Sequence, residues 1–340
     1  MKKLIIPVIS FLLVTIQGSA QEKIWQLSLF SFFDNVEFGG SEVKVPRTMA
    51  GLMFAPEAGL RWDSVHRISV GMSMMHEFGS RRKIEHIYPT AYYELLKEST
   101  RFLIGAFPRA VATGRYTRLF FQDSLSYYRP NVEGIFLGFN VERGHFNLWL
   151  DWTGRQSPEV NEAFFTGINA RYREGMFYLD HSGYMYHFAA KKDPVVDEAL
   201  HDNLLFHTSM GIDLSGKSFF DILDLNAGWV AGLERARADN TGWIKLHGML
   251  VEARAEYRGI GLFNTFYHGD RLMVFYGDHS TDLYWGDPAY RAGNYNRADM
   301  YIRFINKRNI NLELTWSLHF LESAVYHEQM LKVRIDLNNL

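Results

Sequence analysis

From Arg47 onward, apolar and polar side chains alternate along the chain in segments of about ten residues, the period of an extended strand. Ile310, Leu312, Leu314, Trp316, Leu318 and Phe320 share one parity, while Asn311, Glu313, Thr315, Ser317 and His319 share the other. Such a segment has one greasy wall and one wet wall. Two hairpins repeat the pattern. In the first, Leu52, Phe54, Ala58, Leu60 and Trp62 lead through Asp63-Ser64-Val65 into Ile68, Val70, Met72 and Met74. In the second, Ile135, Leu137, Phe139 and Val141 lead through Arg143-Gly144 into Phe146, Leu148, Leu150 and Trp152. Asn140, Glu142, Asn147 and Asp151 take its opposite face. Short turns of this kind join antiparallel neighbours.

Carried along the chain, the alternation predicts about sixteen strands, near 24–33, 47–62, 66–78, 86–97, 101–107, 130–142, 145–153, 162–172, 176–188, 203–213, 221–234, 242–257, 261–268, 295–306, 309–321 and 325–337. Tight connections near 63–65, 98–100, 143–144, 173–175, 214–220, 258–260 and 307–308 take turns with longer ones, notably 34–46, 108–129, 189–202 and 269–294. A soluble sandwich has no reason to gather its long loops at one end. A barrel standing in a bacterial outer membrane does, with short periplasmic turns and long outer loops. The expected fold is therefore all-β: a transmembrane antiparallel up-and-down β-barrel of about sixteen strands (fourteen to eighteen).

The first twenty residues read as a signal peptide. Lys2 and Lys3 are followed by an apolar run from Leu4 to Ile16, then by Gly18-Ser19-Ala20 before Gln21. The run is shorter than the roughly 18 residues that a spanning helix needs. Residues 21–340 then form a single barrel domain in the cell outer membrane. With no cysteine, the chain has no disulfide, thiolate or cysteine–metal chemistry. A net charge of −2 spread evenly gives no sign of nucleic-acid binding. Aromatic residues make up 15% of the chain, and Trp25, Trp62, Trp152 and Trp243 fall near strand ends, where rings belong at a membrane–water boundary. Trp316, in mid-strand, does not fit that belt.

Three regions carry candidate chemistry. Loop 108–129 holds Arg109, Arg115, Tyr116, Arg118, Asp123, Tyr127, Tyr128 and Arg129. Folded into a lumen, its arginines would offer forked donors to carboxylates or phosphates, and its tyrosines flat faces to sugars. On strand 249–257, Glu252, Arg254, Glu256 and Arg258 alternate against Val251, Ala253, Ala255 and Tyr257. They form a lumen charge ladder able to pair with Arg303 or Glu313. Loop 276–295 sets Asp278, Asp282 and Asp287 among Tyr276, Tyr284, Trp285, Tyr290 and Tyr295, suited to a glycan or, less well, to calcium. Histidines 181, 187, 201 and 207 lack zinc spacing and fall on both strand faces. Gly-x-Ser-x-Gly is absent, and His145, Ser157 and Ser182 have no sequence relation that marks a nucleophile. No metal, nucleotide or redox cofactor is called for.

Signal peptide, alternation and loop asymmetry together resemble the porin-type outer-membrane β-barrels of Gram-negative bacteria. A local likeness lies in Phe102-Leu103-Ile104-Gly105-Ala106-Phe107-Pro108-Arg109 and Tyr128-Arg129-Pro130-Asn131-Val132-Glu133-Gly134. It looks like the strand–loop–strand of substrate-selective porins, whose third outer loop folds inward. The resemblance implies a non-enzymatic channel for passive diffusion of small polar or anionic solutes, or glycan fragments. Arg109, Arg115, Arg118, Asp123, Tyr127 and Arg129 would then form the constriction. Its implied partners are outer-membrane lipid, the barrel-assembly machinery and, in a homotrimer, further copies of itself. The chain ends in Leu340 where many such barrels end in phenylalanine. An outer-membrane barrel hydrolase and a plugged structural or surface-binding barrel are the competing readings.

Overall fold

The structure is a computed structural model that describes residues 21–192, 200–239, 242–321 and 324–339. Residues 1–20, where the sequence suggests a signal peptide, and Leu340 lie outside the described residues. The strands are β1 (Gln21–Glu37), β2 (Arg47–Trp62), β3 (His66–Glu77), β4 (His86–Lys97), β5 (Thr100–Pro108), β6 (Asn131–Val141), β7 (Gly144–Gly154) and β8 (Ala163–Glu174). They continue as β9 (Phe177–Phe188), β10 (His201–Asp213), β11 (Ile222–Ala236), β12 (Ile244–Tyr257), β13 (Ile260–Gly269), β14 (Asn294–Lys307), β15 (Ile310–Leu321) and β16 (Ala324–Asn338). Every strand pairs antiparallel with its sequence neighbours, and β1 closes the cylinder on β16, with Phe30 opposite Arg334. Closure leaves no unpaired edge, which a sheet in lipid requires.

The parity read from the sequence maps onto the two sides of the wall. Val70, Leu148, Leu225, Met210 and Trp316 face outward and are exposed, as a lipid-facing band requires. Asn147, Asn169, Ser182, Glu252 and Ser317 face inward and are buried. The tight turns gather at one rim, which the sequence reads as periplasmic, and the long loops at the other. The largest boundary difference is in β1, which runs on through Asp34-Asn35-Val36-Glu37 where the sequence reads as loop. Those polar residues are held in register against β16, Asn35 opposite Gln329 and Glu37 opposite His327. Pairing on both sides outweighs their low strand preference.

Two outer loops turn back into the cylinder: L3 (109–130) and L7 (270–293). L3 carries two single-turn helices, α1 (Ala110–Thr113) and α2 (Leu125–Tyr128); L7 carries α3 (Tyr276–His279) and a 3₁₀ turn over Pro288–Ala292. The loops pair with each other, Gln122 N–H donating to Trp285 O at 2.8 Å and Asp287 N–H to Arg118 O at 2.9 Å. Gly286 permits this approach, since a Cβ there would lie 2.2 Å from Leu119 O. Leu119, Phe120, Tyr127, Leu283, Tyr284, Trp285 and Tyr290 are thereby buried in one core with inward residues of the wall.

Candidate functional site

Arg109 is buried, with its Nη1 2.5 Å from Asp151 Oδ2 and its Nε 2.6 Å from Arg129 O. Arg109 and Arg129 lie against the ring of Trp285, at 5.0 and 4.7 Å from its centroid. Arg118 binds Asp123 at 2.5 Å and Asp299 at 2.9 Å, and Lys332 reaches Asp123 at 2.9 Å. Tyr127 stacks on Phe32 with centroids 4.1 Å apart. Of the six residues expected at a constriction, Arg109, Arg118, Asp123, Tyr127 and Arg129 thus hold L3 to the wall and to L7. The charged and polar groups of Arg109, Arg118, Asp123 and Tyr127 have protein partners, whereas the exposed Arg129 guanidinium lies over the Trp285 ring. Arg115 and Arg129 keep their guanidinium groups free of a hydrogen bond or ion pair among the described residues.

The charge ladder is only partly a ladder. Arg303 joins Glu256 and Glu313, each at 2.8 Å, and Arg254 Nη2 lies 3.4 Å from Glu256. These brace the periplasmic half of the wall. Glu252 stands apart, with Asn226 Nδ2 at 3.4 Å. Arg258 leaves the ladder altogether: it sits at φ 52° in the β12–β13 turn, over the ring of Tyr257. The turn swings it to the periplasmic surface, which strict alternation does not foresee.

L7 is latched to L1 (38–46) by Lys44 and Asp287, 3.1 Å apart, with Arg297 and Glu328 beside them. Asp287 also caps the turn that follows it, accepting from Ala289 N–H at 3.0 Å. Burial by itself would raise the Asp287 carboxyl, but Lys44 and Arg297 outweigh it and hold the group below its ordinary value. For Lys44, burial works to lower the ammonium, while Asp287 and Glu328 hold it above its ordinary value. Asp287 therefore adds stability that is present above the unfolded pKa of about 3.9 and is lost as pH falls through the lower folded value. Lys44 adds stability that is lost only in strong alkali. Folded protein in detergent is expected to be cut by pepsin within L7 increasingly as pH falls below the unfolded carboxyl value of about 3.9. Asp287→Asn is expected to be cut in L7 without this pH dependence; cleavage of the parent protein that rises no more below that pH than cleavage of Asp287→Asn would contradict the latch.

The outer wall holds a different arrangement. Trp152, Phe164, His187, Asp202 and Arg235 are successive register partners across β7, β8, β9, β10 and β11. They share parity with the lipid-facing Leu148, Leu179, Met210, Leu225 and Trp229. The row lies within two residues of the outer strand ends, at the depth of the membrane–water boundary. Trp152 stacks on Phe164 at 5.3 Å and Phe164 on His187 at 5.0 Å. His187 Nδ1 lies 3.4 Å from Asp202 Oδ1. Asp202 also receives Arg235 Nε at 2.6 Å and a two-pronged contact from Arg237 at 2.8 and 2.9 Å. Arg235 in turn lies over Trp243 at 4.2 Å. An acid and a histidine on a lipid-facing wall are costly unless paired, and here they are paired with each other and with two cations. This assembly offers an oriented imidazole, a fixed carboxylate and two guanidinium groups, flanked by aromatic rings that suit the headgroup layer.

Sequence reading noted His187 within a histidine cluster and passed over Asp202, Arg235 and Arg237. Asp202 and Arg235 depart from outward apolar parity, while Arg237 follows the end of β11. Histidines 181, 187, 201 and 207 do divide between the faces, 181 and 187 outward and 201 and 207 inward. Ser182 and His207 meet in register on the lumen wall, whereas Ser157 lies in the outer loop 155–162.

The lipid A 3'-O-deacylase-type family model matches residues 17–337. The chain belongs to that family. The expectation of a non-enzymatic protein is corrected by this match, since the family takes its name from an enzyme. No curated protein matches the sequence. Among solved structures, a loop-deletion mutant of OmpT, an outer-membrane protein of Vibrio cholerae, is 10% identical with a TM-score of 0.57, over 94% of this chain and 100% of that one. OccK2 (OpdF) of Pseudomonas aeruginosa, in complex with glucuronate, is 11% identical with a TM-score of 0.53, over 94% and 99%. A triple mutant of Rhodopseudomonas blastica porin is 11% identical with a TM-score of 0.52, over 93% and 100%. These likenesses establish the fold as a porin-type barrel, and together with the family they place the protein in the outer membrane.

Proposed function

We propose that the protein is an outer-membrane acyl-ester hydrolase acting on a phosphorylated glycolipid of the outer leaflet, with lipid A 3'-O-deacylation as the reaction its family suggests. The observation that carries this reading is the His187–Asp202–Arg235–Arg237 row, which faces lipid at headgroup depth. Asp202 accepts from His187 Nδ1–H and leaves Nε2 as a base. That nitrogen takes a proton from water, the water oxygen attacks the ester carbonyl, and the guanidinium groups of Arg235 and Arg237 stabilise the oxyanion. The acyl C–O bond then breaks, and the proton returns from Nε2 to the departing sugar oxygen. The products are a free fatty acid and a deacylated sugar hydroxyl. The same guanidinium groups suit a neighbouring phosphate.

The test is release of fatty acid from lipid A-containing vesicles by purified, folded protein. Steady release supports the reading; none above the rate without protein rejects it. Passive diffusion through the lumen is the competing account, favoured by the inward fold of L3. The pairing of L3 with L7 opposes it, and in planar bilayers the folded protein is expected to give no stepwise conductance. Regular ohmic steps would restore the channel.

A further inference from the structure

We propose that the periplasmic half of the lumen binds a small zwitterion of amino-acid size, its carboxylate at Arg115 and its ammonium group at Asn226 and Glu252. A cavity of about 390 Å³ lies there beneath L3, which contributes Arg115 and Thr117 to its lining. The wall contributes His207, Asn226 and Glu252, all at least nine-tenths buried. Three buried polar atoms with no hydrogen-bond partner among the described residues line this one cavity: Thr117 Oγ1, His207 Nε2 and Asn226 Oδ1. Buried polar groups are normally paired, so three orphans together mark a site for something polar.

The charges say what kind of molecule fits. Arg171 and Asp180, also in the lining, bind each other through two hydrogen bonds and cancel. Two charges are left over. Among the described residues, Arg115 has no ion pair and Glu252 has only the Asn226 amide at 3.4 Å. A forked guanidinium suits a carboxylate, while a carboxylate beside an amide oxygen suits an ammonium group. A simple carboxylate would leave Glu252 unmatched, and a simple amine would leave Arg115 unmatched. His207 Nε2 and Thr117 Oγ1 remain for a hydroxyl on the same ligand. The site is on the opposite side of the wall from the His187 row, so it stands or falls independently of the hydrolase reading.

Isothermal titration of the full folded chain in detergent tests this with three probes of similar size: L-serine, lactate and ethanolamine. Saturable heat is expected with L-serine, and binding about tenfold or more weaker with lactate and ethanolamine, each lacking one charge. Arg115→Gln and Glu252→Gln are each expected to weaken L-serine by about tenfold or more. Heat-modifiable gel migration shows which variants fold, and Asn226→Ala replaces Glu252→Gln if the latter does not. No saturable heat with L-serine, lactate binding as tightly as L-serine, or unchanged affinity in the folded variants would overturn the proposal.

Discussion

Arg109→Ala is expected to destabilise the folded barrel by about 3–5 kcal/mol, because it leaves Asp151 buried without its partner. Asp151 is 1% exposed, and its other contact is the Glu133 N–H at 3.0 Å. The same substitution removes one of the two cations that flank Trp285 and frees the Arg129 and Asn131 carbonyls that Arg109 ties down. Urea unfolding of protein reconstituted in vesicles, followed by tryptophan fluorescence, measures the loss. A constriction arginine facing open water would behave otherwise, since its removal would change stability by a fraction of a kcal/mol at most and would alter solute passage. A midpoint unchanged from the parent protein would show that the Arg109–Asp151 pair is not what anchors L3.

His187→Ala is expected to lower fatty-acid release on the order of a hundred- to ten-thousand-fold, the range for loss of a general base. Asp202→Asn is expected to follow it in part, because an amide still occupies the place but no longer accepts the Nδ1 proton as a carboxylate does. Stability should change much less than activity, since the row sits at the rim and the cylinder closes without it. His66→Ala is the matched control. That histidine also faces outward, but at the periplasmic end, where it bonds Tyr93 at 2.7 Å, and its loss should leave release unchanged. Full release by folded His187→Ala would move the chemistry elsewhere on the molecule.

The barrel was legible because its cause is local. Each strand must show lipid one parity and the interior the other, so Ile310 to Phe320 carries the pattern within a single strand and Leu52 to Met74 within a single hairpin. The tight turns were legible for the same reason. The fate of loop 108–129 was not, since its arginines find partners far along the chain: Asp151 for Arg109, Asp299 for Arg118, Trp285 for Arg129. Nothing in the loop itself distinguishes a guanidinium awaiting a solute from one destined for a buried carboxylate. Arg258 escaped for a simpler reason: alternation was carried one residue into a turn. The outer-wall row was half legible. His187, Asp202 and Arg235 each break an apolar parity, which the sequence shows, but their meeting depends on the register of three strands. That register is a property of the closed cylinder, and no single segment contains it.

The proposed hydrolytic groups lie outside the cylinder, against the outer leaflet, and not in its lumen. Mass spectrometry of lipid A from cells producing the parent protein or Asp202→Asn tests this most directly. The account predicts that lipid A loses one ester-linked acyl chain with the parent protein and keeps it when the folded variant is produced at the same level. Lipid A that is unaltered by the parent protein, or deacylated equally by both, would contradict it.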